Sequence, residues 1–254
     1  MSYSLKVAVI SLACIFGGAL LGRVLRGFLP DHHVSGKSED ALKVGAGMIA
    51  TLAALVLGLL VGSAKSTLDN ANNAIVQSST KVILLDRTLA RYGPEAKDAR
   101  EQLRRSVETL VATLWPEDKA ALANVHAFEH SNSIDAMLTM LTALKPTDDE
   151  HRGLRAQALQ LVSDIQQIRW QAIEQEQATL PIPFLAVMLF WLCMLHVSYG
   201  LLAPNNLTVV VVQFVGALSV SGAIFLVLEM NRPLDGMIKV SSAPMLKALQ
   251  FLGQ

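Results

Sequence analysis

KVGAGMIATLAALVLGLLVGSAKS, Lys43 to Ser66, is the stretch whose reading decides the fold. From Val44 to Ala64 it carries no Asp, Glu, Lys or Arg. A single helical crossing of a bilayer needs about 20 apolar residues, so this run is one membrane helix. It is also patterned. Small residues recur at every fourth position: Ala46, Ala50, Ala54, Gly58 and Gly62. Apolar side chains gain little by leaving lipid for one another, so membrane helices associate where small residues let their backbones approach. The stripe fits either packing within the chain or a central helix around the axis of a homo-oligomer. SAKST follows it. If this helix lined an axis, Ala50, Ala54, Gly58 and Gly62 would line the passage. Ser63, Lys65 and Ser66 would then form hydroxyl and cation rings at its mouth, and rings of Lys favour anions. A snorkelling interfacial Lys65 is the plainer alternative.

Outward from this helix, three more segments approach bilayer length: about Leu5–Val24, Pro183–Ala203 and Leu207–Glu229. Between Glu176 and Glu229 no charged residue occurs, and the short link Ala203–Asn206 makes the last two segments a hairpin. The N-terminal run has a single Lys6 before it and no clean cleavage site, so it reads as a retained helix rather than a signal peptide. GGALLG, Gly17 to Gly22, lies inside that apolar helix and is no dinucleotide loop. Its Gly18 and Gly22 make a second small-residue stripe. Only 17% of the chain is charged, against about 25% in a soluble domain. The net charge of zero shows no basic face for nucleic acid.

The expected architecture is an all-α membrane protein with four transmembrane helices, two plus two. Residues 1–64 hold the first pair with a polar loop at 26–43. Residues 65–180 form a helical soluble domain, 181–230 hold the second pair, and 231–254 are a C-terminal tail. In the middle stretch Val82, Leu85 and Leu89 recur at helical spacing, and Gly93 ends that helix. Thr147 to Glu150 reads as a capping box opening a helix to about Thr179. Pro181 and Pro183 break the chain before the third crossing. SSAPMLKALQFLG in the tail reads as one short amphipathic helix. An even number of crossings puts both termini on the side of the middle domain. Lys6, Lys65, Arg232, Lys239 and Lys247 gather on that side, opposite Arg23, Arg26, Lys37 and Lys43. The positive-inside rule then makes the middle domain and both termini cytoplasmic.

Glu229 is the last residue of the fourth apolar run. A carboxylate at a helix C-terminus opposes the helix dipole, which calls for a cation, and Arg232 is within reach. Glu229, Arg232 and Asp235 are therefore the candidate gating or coupling residues. No catalytic residue and no metal or other cofactor is expected. His126-Ala-Phe-Glu129-His130 matches an inverted zinc-protease pattern, but no acidic third ligand follows suitably and Ser131-Asn-Ser133 suggests that the helix stops there. His32-His33 reads as plain loop, and His196 as a residue bonded to neighbouring backbone or hydroxyl. Cys14 and Cys193 lie in apolar runs and read as reduced packing residues.

Three blocks together resemble the bacterial "bestrophin-like domain" membrane proteins: GMIATLAALVLGLLVGSAKS, VILLDRTLARYGPEAKDAR, and SVSGAIFLVLEMNRPLDGMIKVSSAPM. The wider resemblance is to bestrophins. It implies a homo-oligomer, a pentamer, in a bacterial inner membrane, with the second helix lining a pore for small anions such as chloride. The chain shows neither an aromatic neck in its second crossing nor an acidic calcium clasp after the fourth, so no bestrophin residue role is carried over. The expected function is thus an oligomeric ion channel, with lipid, small ions and its own copies as partners. The alternative is a membrane-anchored signalling or scaffold protein whose helical middle domain binds partners.

Overall fold

The computed structural model describes residues 3–30, 35–115, 128–177, 182–204, 206–234 and 236–254. Described residues form eight α-helices: α1 (Tyr3–Phe28), α2 (Lys37–Tyr92), α3 (Lys97–Leu114), α4 (Phe128–Ala143), α5 (Asp149–Gln177), α6 (Ile182–Leu202), α7 (Leu207–Met230) and α8 (Ala243–Phe251). Four of them, α1, α2, α6 and α7, are long and apolar enough to cross a membrane. The chain divides into two compact units. One comprises 1–68 with 178–238, the other 69–177 with 239–254.

The apolar unit is built on backbone contact between α1 and α6. A Cβ placed on Gly22 would lie 2.1 Å from the Val197 carbonyl oxygen, and one on Gly200 would lie 2.2 Å from that of Ala19. Gly18 meets Cys193 in the same way, at 3.0 Å. The contacts climb together along both helices, so α1 and α6 run in the same direction. The Gly18/Gly22 stripe is thus a seam within the chain, completed by Gly200. Helix α7 lies antiparallel to α1. The Ser221 hydroxyl donates to the Ala8 carbonyl, the Phe16 and Phe214 rings meet edge to face at 5.3 Å, and the Arg232 guanidinium sits over the Tyr3 ring. Ile15, Met188, Leu192, Ala217, Ile224 and Val227 fill the core, joined by Ala53, Leu60 and Ala64 of α2. At the hairpin the Asn206 side chain accepts from the Val209 N–H and caps α7.

Helix α2 does not end with its apolar part. It continues to Tyr92 as one element of 56 residues, about 84 Å at the usual rise. Gly93 stops it in a conformation (φ 112°) that side chains rarely adopt, and Pro94 opens the short turn before α3.

The second unit has its own core of Leu85, Leu89, Leu103, Leu141, Leu154 and Met245, with α8 contributing Met245 and Ala248. Two sequence expectations change here. The cap of α5 is Asp148, not Thr147: its carboxylate accepts from the His151 N–H and also meets the His151 ring. An ionised oxygen one residue further on is the stronger acceptor for the first turn. That contact holds Asp148 below the usual carboxylate range, the backbone bond from His151 contributing most. The expected stop at Ser131–Ser133 is also absent, because α4 starts at Phe128 and runs through it. Three polar residues in the first turns of a helix are compatible with its start. His126 of the HAFEH motif lies outside the described residues, as do His32 and His33.

The tail docks in this second unit. The Trp115 indole donates to the Val240 carbonyl at 2.7 Å. Arg100 grips the buried carboxylate of Asp86 with two hydrogen bonds of 2.8 and 2.9 Å and reaches the Gln254 carbonyl. The Gly253 N–H points at the same carboxylate.

Two substitutions check these packing claims by thermal unfolding in detergent. Gly200→Ala forces a methyl into the α1 backbone and is expected to cost about 1–3 kcal/mol, while Gly17→Ala, which meets nothing within 4 Å, is tolerated. Arg100→Ala strands the Asp86 charge and is expected to cost about 3–5 kcal/mol. The same change exposes the tail to protease, and equal protease resistance would contradict the docking.

Candidate functional site

The candidate site is the face of α2 that the chain itself leaves uncovered. Across the apolar window of each long helix, the share buried within the chain is 33% for α1, 28% for α6 and 22% for α7, but 11% for α2. The little that the apolar part of α2 buries lies on one line: Ala46, Ala53, Leu60 and Ala64. Helical spacing sends Thr51, Leu55, Gly58, Gly62 and Ser66 to the opposite face. Of the expected stripe only Ala46 is buried. Ala50 is half-buried, and Ala54, Gly58 and Gly62 are exposed. The physical reason is a shift of phase: the chain packs α2 at spacings of seven and four residues, not along the strict every-fourth line.

The glycines make the contrast sharper. A Cβ on Gly58 or Gly62 would meet nothing within 4 Å, whereas Gly22 and Gly200 have no room for one. An interior helical glycine costs roughly 1 kcal/mol relative to alanine. Nothing among the described residues needs that sacrifice at Gly58 and Gly62.

Polar groups along the face are modest. Thr51 and Thr67 return their hydroxyls to the Gly47 and Ser63 carbonyls of their own helix. Ser63, Lys65 and Ser66 are exposed. Asp69, also exposed, stands four residues beyond Lys65 and eleven beyond Gly58, which is three helical turns. The sequence reading passed over Asp69, although the eleven-residue interval to Gly58 was there to find it.

At the end of α7 the structure gives Glu229 a backbone donor. Glu229 is fully buried, and its carboxylate accepts the Met237 N–H across the turn that follows the helix. Arg232 stacks on Tyr3, its guanidinium carbon 5.1 Å from the ring centroid. Arg232 N–H donates back to the Glu229 carbonyl, and Gly236 N–H to the Arg232 carbonyl. A carboxylate at a C-terminal helix end is therefore held by a backbone donor of the returning chain. Gly236 makes this possible, because a Cβ there would sit 2.7 Å from the Glu229 Oε2 and 2.8 Å from the Arg232 carbonyl. Asp235 lies outside the described residues. His196 is buried with its Nδ1 at 2.9 Å from the Leu192 carbonyl, the backbone bond expected of it. Among the described residues no group of three His, Cys, Asp or Glu is placed to hold a metal.

With this geometry in hand, the comparisons are consistent. The family model described as "Bestrophin-like domain" matches residues 13–245, and the chain belongs to that family. The fold is similar to that of a bacterial bestrophin homolog from Klebsiella pneumoniae. One variant structure of that protein gives a TM-score of 0.70 at 13% identity, covering 97% of this chain and 99% of the other. Another gives 0.69 at 13% identity, covering 99% and 97%. No curated protein matches the chain by sequence.

Gly236→Ala is expected to push the turn off Glu229 and to destabilise the chain by about 1–3 kcal/mol. Glu229→Gln, which keeps an acceptor for Met237, is expected to cost less than Glu229→Ala. The reverse order in thermal unfolding would remove the backbone bond as the reason for the buried carboxylate.

Proposed function

We propose that this bestrophin-like chain assembles into a homo-oligomeric ion channel, a pentamer, in the bacterial inner membrane, with α2 lining the pore. The observation that carries the reading is the uncovered small-residue face of α2. A Cβ on Gly58 or Gly62 would meet nothing within 4 Å among the described residues, and a helix ringed by its copies is where small residues on that face keep a passage open. Close packing between copies and an open lumen both use the absence of side chains there. The two-plus-two arrangement and the positive-inside bias support a cytoplasmic position for the helical unit and both termini.

The conducted ion in this reading is a small anion. Lys65 is the first charge that α2 reaches after Val44–Ala64, and five copies would set a cationic ring just past Gly62, with Ser63 and Ser66 hydroxyls beside it. Asp69 carries the second reading. It shares the face, one turn on, and a dominant acidic ring there would select cations. Glu229, Arg232 and Asp235 are the proposed coupling residues, acting through the turn at the end of α7.

The test is flux through purified protein in liposomes, with reversal potentials recorded under separate chloride and potassium gradients. The expected potential follows chloride, and Lys65→Glu shifts it toward potassium. A wild-type potential that follows potassium and reverts in Asp69→Lys would transfer selectivity to Asp69. Absence of flux from a folded oligomer would favour the scaffold alternative.

A further inference from the structure

Among the described residues, Arg23 is the one cation whose guanidinium nitrogens are sealed without an acceptor. Its Nε and Nη2 atoms are shut off from the outside, and neither has a hydrogen-bond partner. The residue as a whole is half-buried, so Nη1 keeps access to the surroundings. Helix α6 presses against it from one side: a Cβ on Gly200 would lie 3.0 Å from the Arg23 backbone nitrogen. An arginine that merely snorkelled would carry its whole head out to water. A desolvated guanidinium without a counter-charge is unfavourable, and none of the described residues supplies one. Glu39, the carboxylate near this end that senses Arg26, is held by Lys43 at 2.7 Å.

The position of Arg23 along α1 selects the missing group. Tyr3, with Arg232 stacked on it, marks one end of α1. Arg23 lies 20 residues further, about 30 Å along the helix, which is the thickness of the hydrocarbon core. If the Tyr3 end lies at one membrane surface, Arg23 lies at the phosphate level of the opposite leaflet. The α6–α7 hairpin, with the Asn206 cap, follows α6 at this same end. Arginine's planar fork matches phosphate oxygens in a bidentate way, and the open Nη1 edge admits one. A small turn of the side chain would bring a second nitrogen into the pair.

We propose that Arg23 is a phosphate-binding residue that holds the headgroup of a membrane phospholipid beside the last turn of α6. The site depends on α1 crossing the membrane and not on ion conduction. Free phosphate offers the same oxygens, so the source is separated in the test.

The full-length protein, purified in mild detergent, is examined by native mass spectrometry for retained phospholipid, and its thermal stability is titrated with short-chain phosphatidylglycerol and, separately, with inorganic phosphate. Wild type is expected to retain phospholipid and to be stabilised by the lipid. Arg23→Gln is expected to weaken the lipid titration by about tenfold or more, the loss of a charge-assisted hydrogen bond. Arg23→Lys, which keeps the charge and loses the fork, falls between the two. Equal stabilisation by inorganic phosphate assigns the site to a soluble oxyanion of the same chemistry. Retention and titration unchanged in Arg23→Gln overturn the proposal. Dissociation of an oligomer in that variant without loss of lipid also overturns it and assigns Arg23 to a neighbouring copy. If Arg23→Gln fails to fold, the wild-type titrations decide alone, and no stabilisation by either probe is a refutation.

Discussion

The apolar unit depends on one contact, the approach of the α1 and α6 backbones through Gly18, Gly22 and Gly200. Lipid provides no hydrophobic drive to bring these helices together, so dispersion at close range has to do it. Only glycine allows a carbonyl oxygen to come as near as those of Val197 and Ala19 do. Helix α7 then lays its Ser221 hydroxyl on Ala8 and its Phe214 ring against Phe16. The consequence reaches α2. With α1, α6 and α7 satisfied by one another, the apolar part of α2 buries a narrow line of Ala46, Ala53, Leu60 and Ala64 and leaves most of its remaining surface open. Two small-residue stripes that look alike in the sequence are therefore placed differently, one as a seam within the chain and the other largely uncovered.

A second device recurs at both ends of the returning chain. A buried carboxylate is expensive unless it is fully engaged, and here each one holds backbone that comes later. Glu229 takes the Met237 N–H at the end of α7. Asp86, gripped by Arg100, faces the Gly253 N–H at the end of α8. The chain leaves the apolar unit at Ile238 and belongs to the helical unit from Lys239. Each unit thus secures its own stretch of the tail with a carboxylate.

Much of the fold was legible because membrane helices follow composition. The uncharged runs located α1, α6 and α7 to within a few residues, and Gly93 marked the end of α2. Boundaries inside the polar stretch were harder. Asp148 and Thr147 are both competent caps, and sequence cannot weigh an ionised oxygen against a hydroxyl one residue away. Serine and asparagine open helices as well as close them, so Ser131–Ser133 misled. The site was less legible. Periodicity found the small residues of α2 but not the phase of its packing, which depends on helices more than a hundred residues away. Glu229 was singled out correctly as unusual. The bond from Met237 was missed because a backbone donor is not advertised by any side chain. Arg23 was read only as a charge to be counted, since its burial arises from the α1–α6 approach.

The most direct test of the central claim is thiol accessibility along α2 during flux. Cysteines placed singly at Ala46, Ala53, Gly58, Gly62 and Ser66, in a background with Cys14 and Cys193 replaced, are treated with a charged thiol reagent while ion flux is recorded. The account predicts block at Gly58, Gly62 and Ser66 and none at Ala46 or Ala53. Block at Ala46 and Ala53 with silence at the glycines would contradict it, since the face that the chain covers would then be the one that meets the ions.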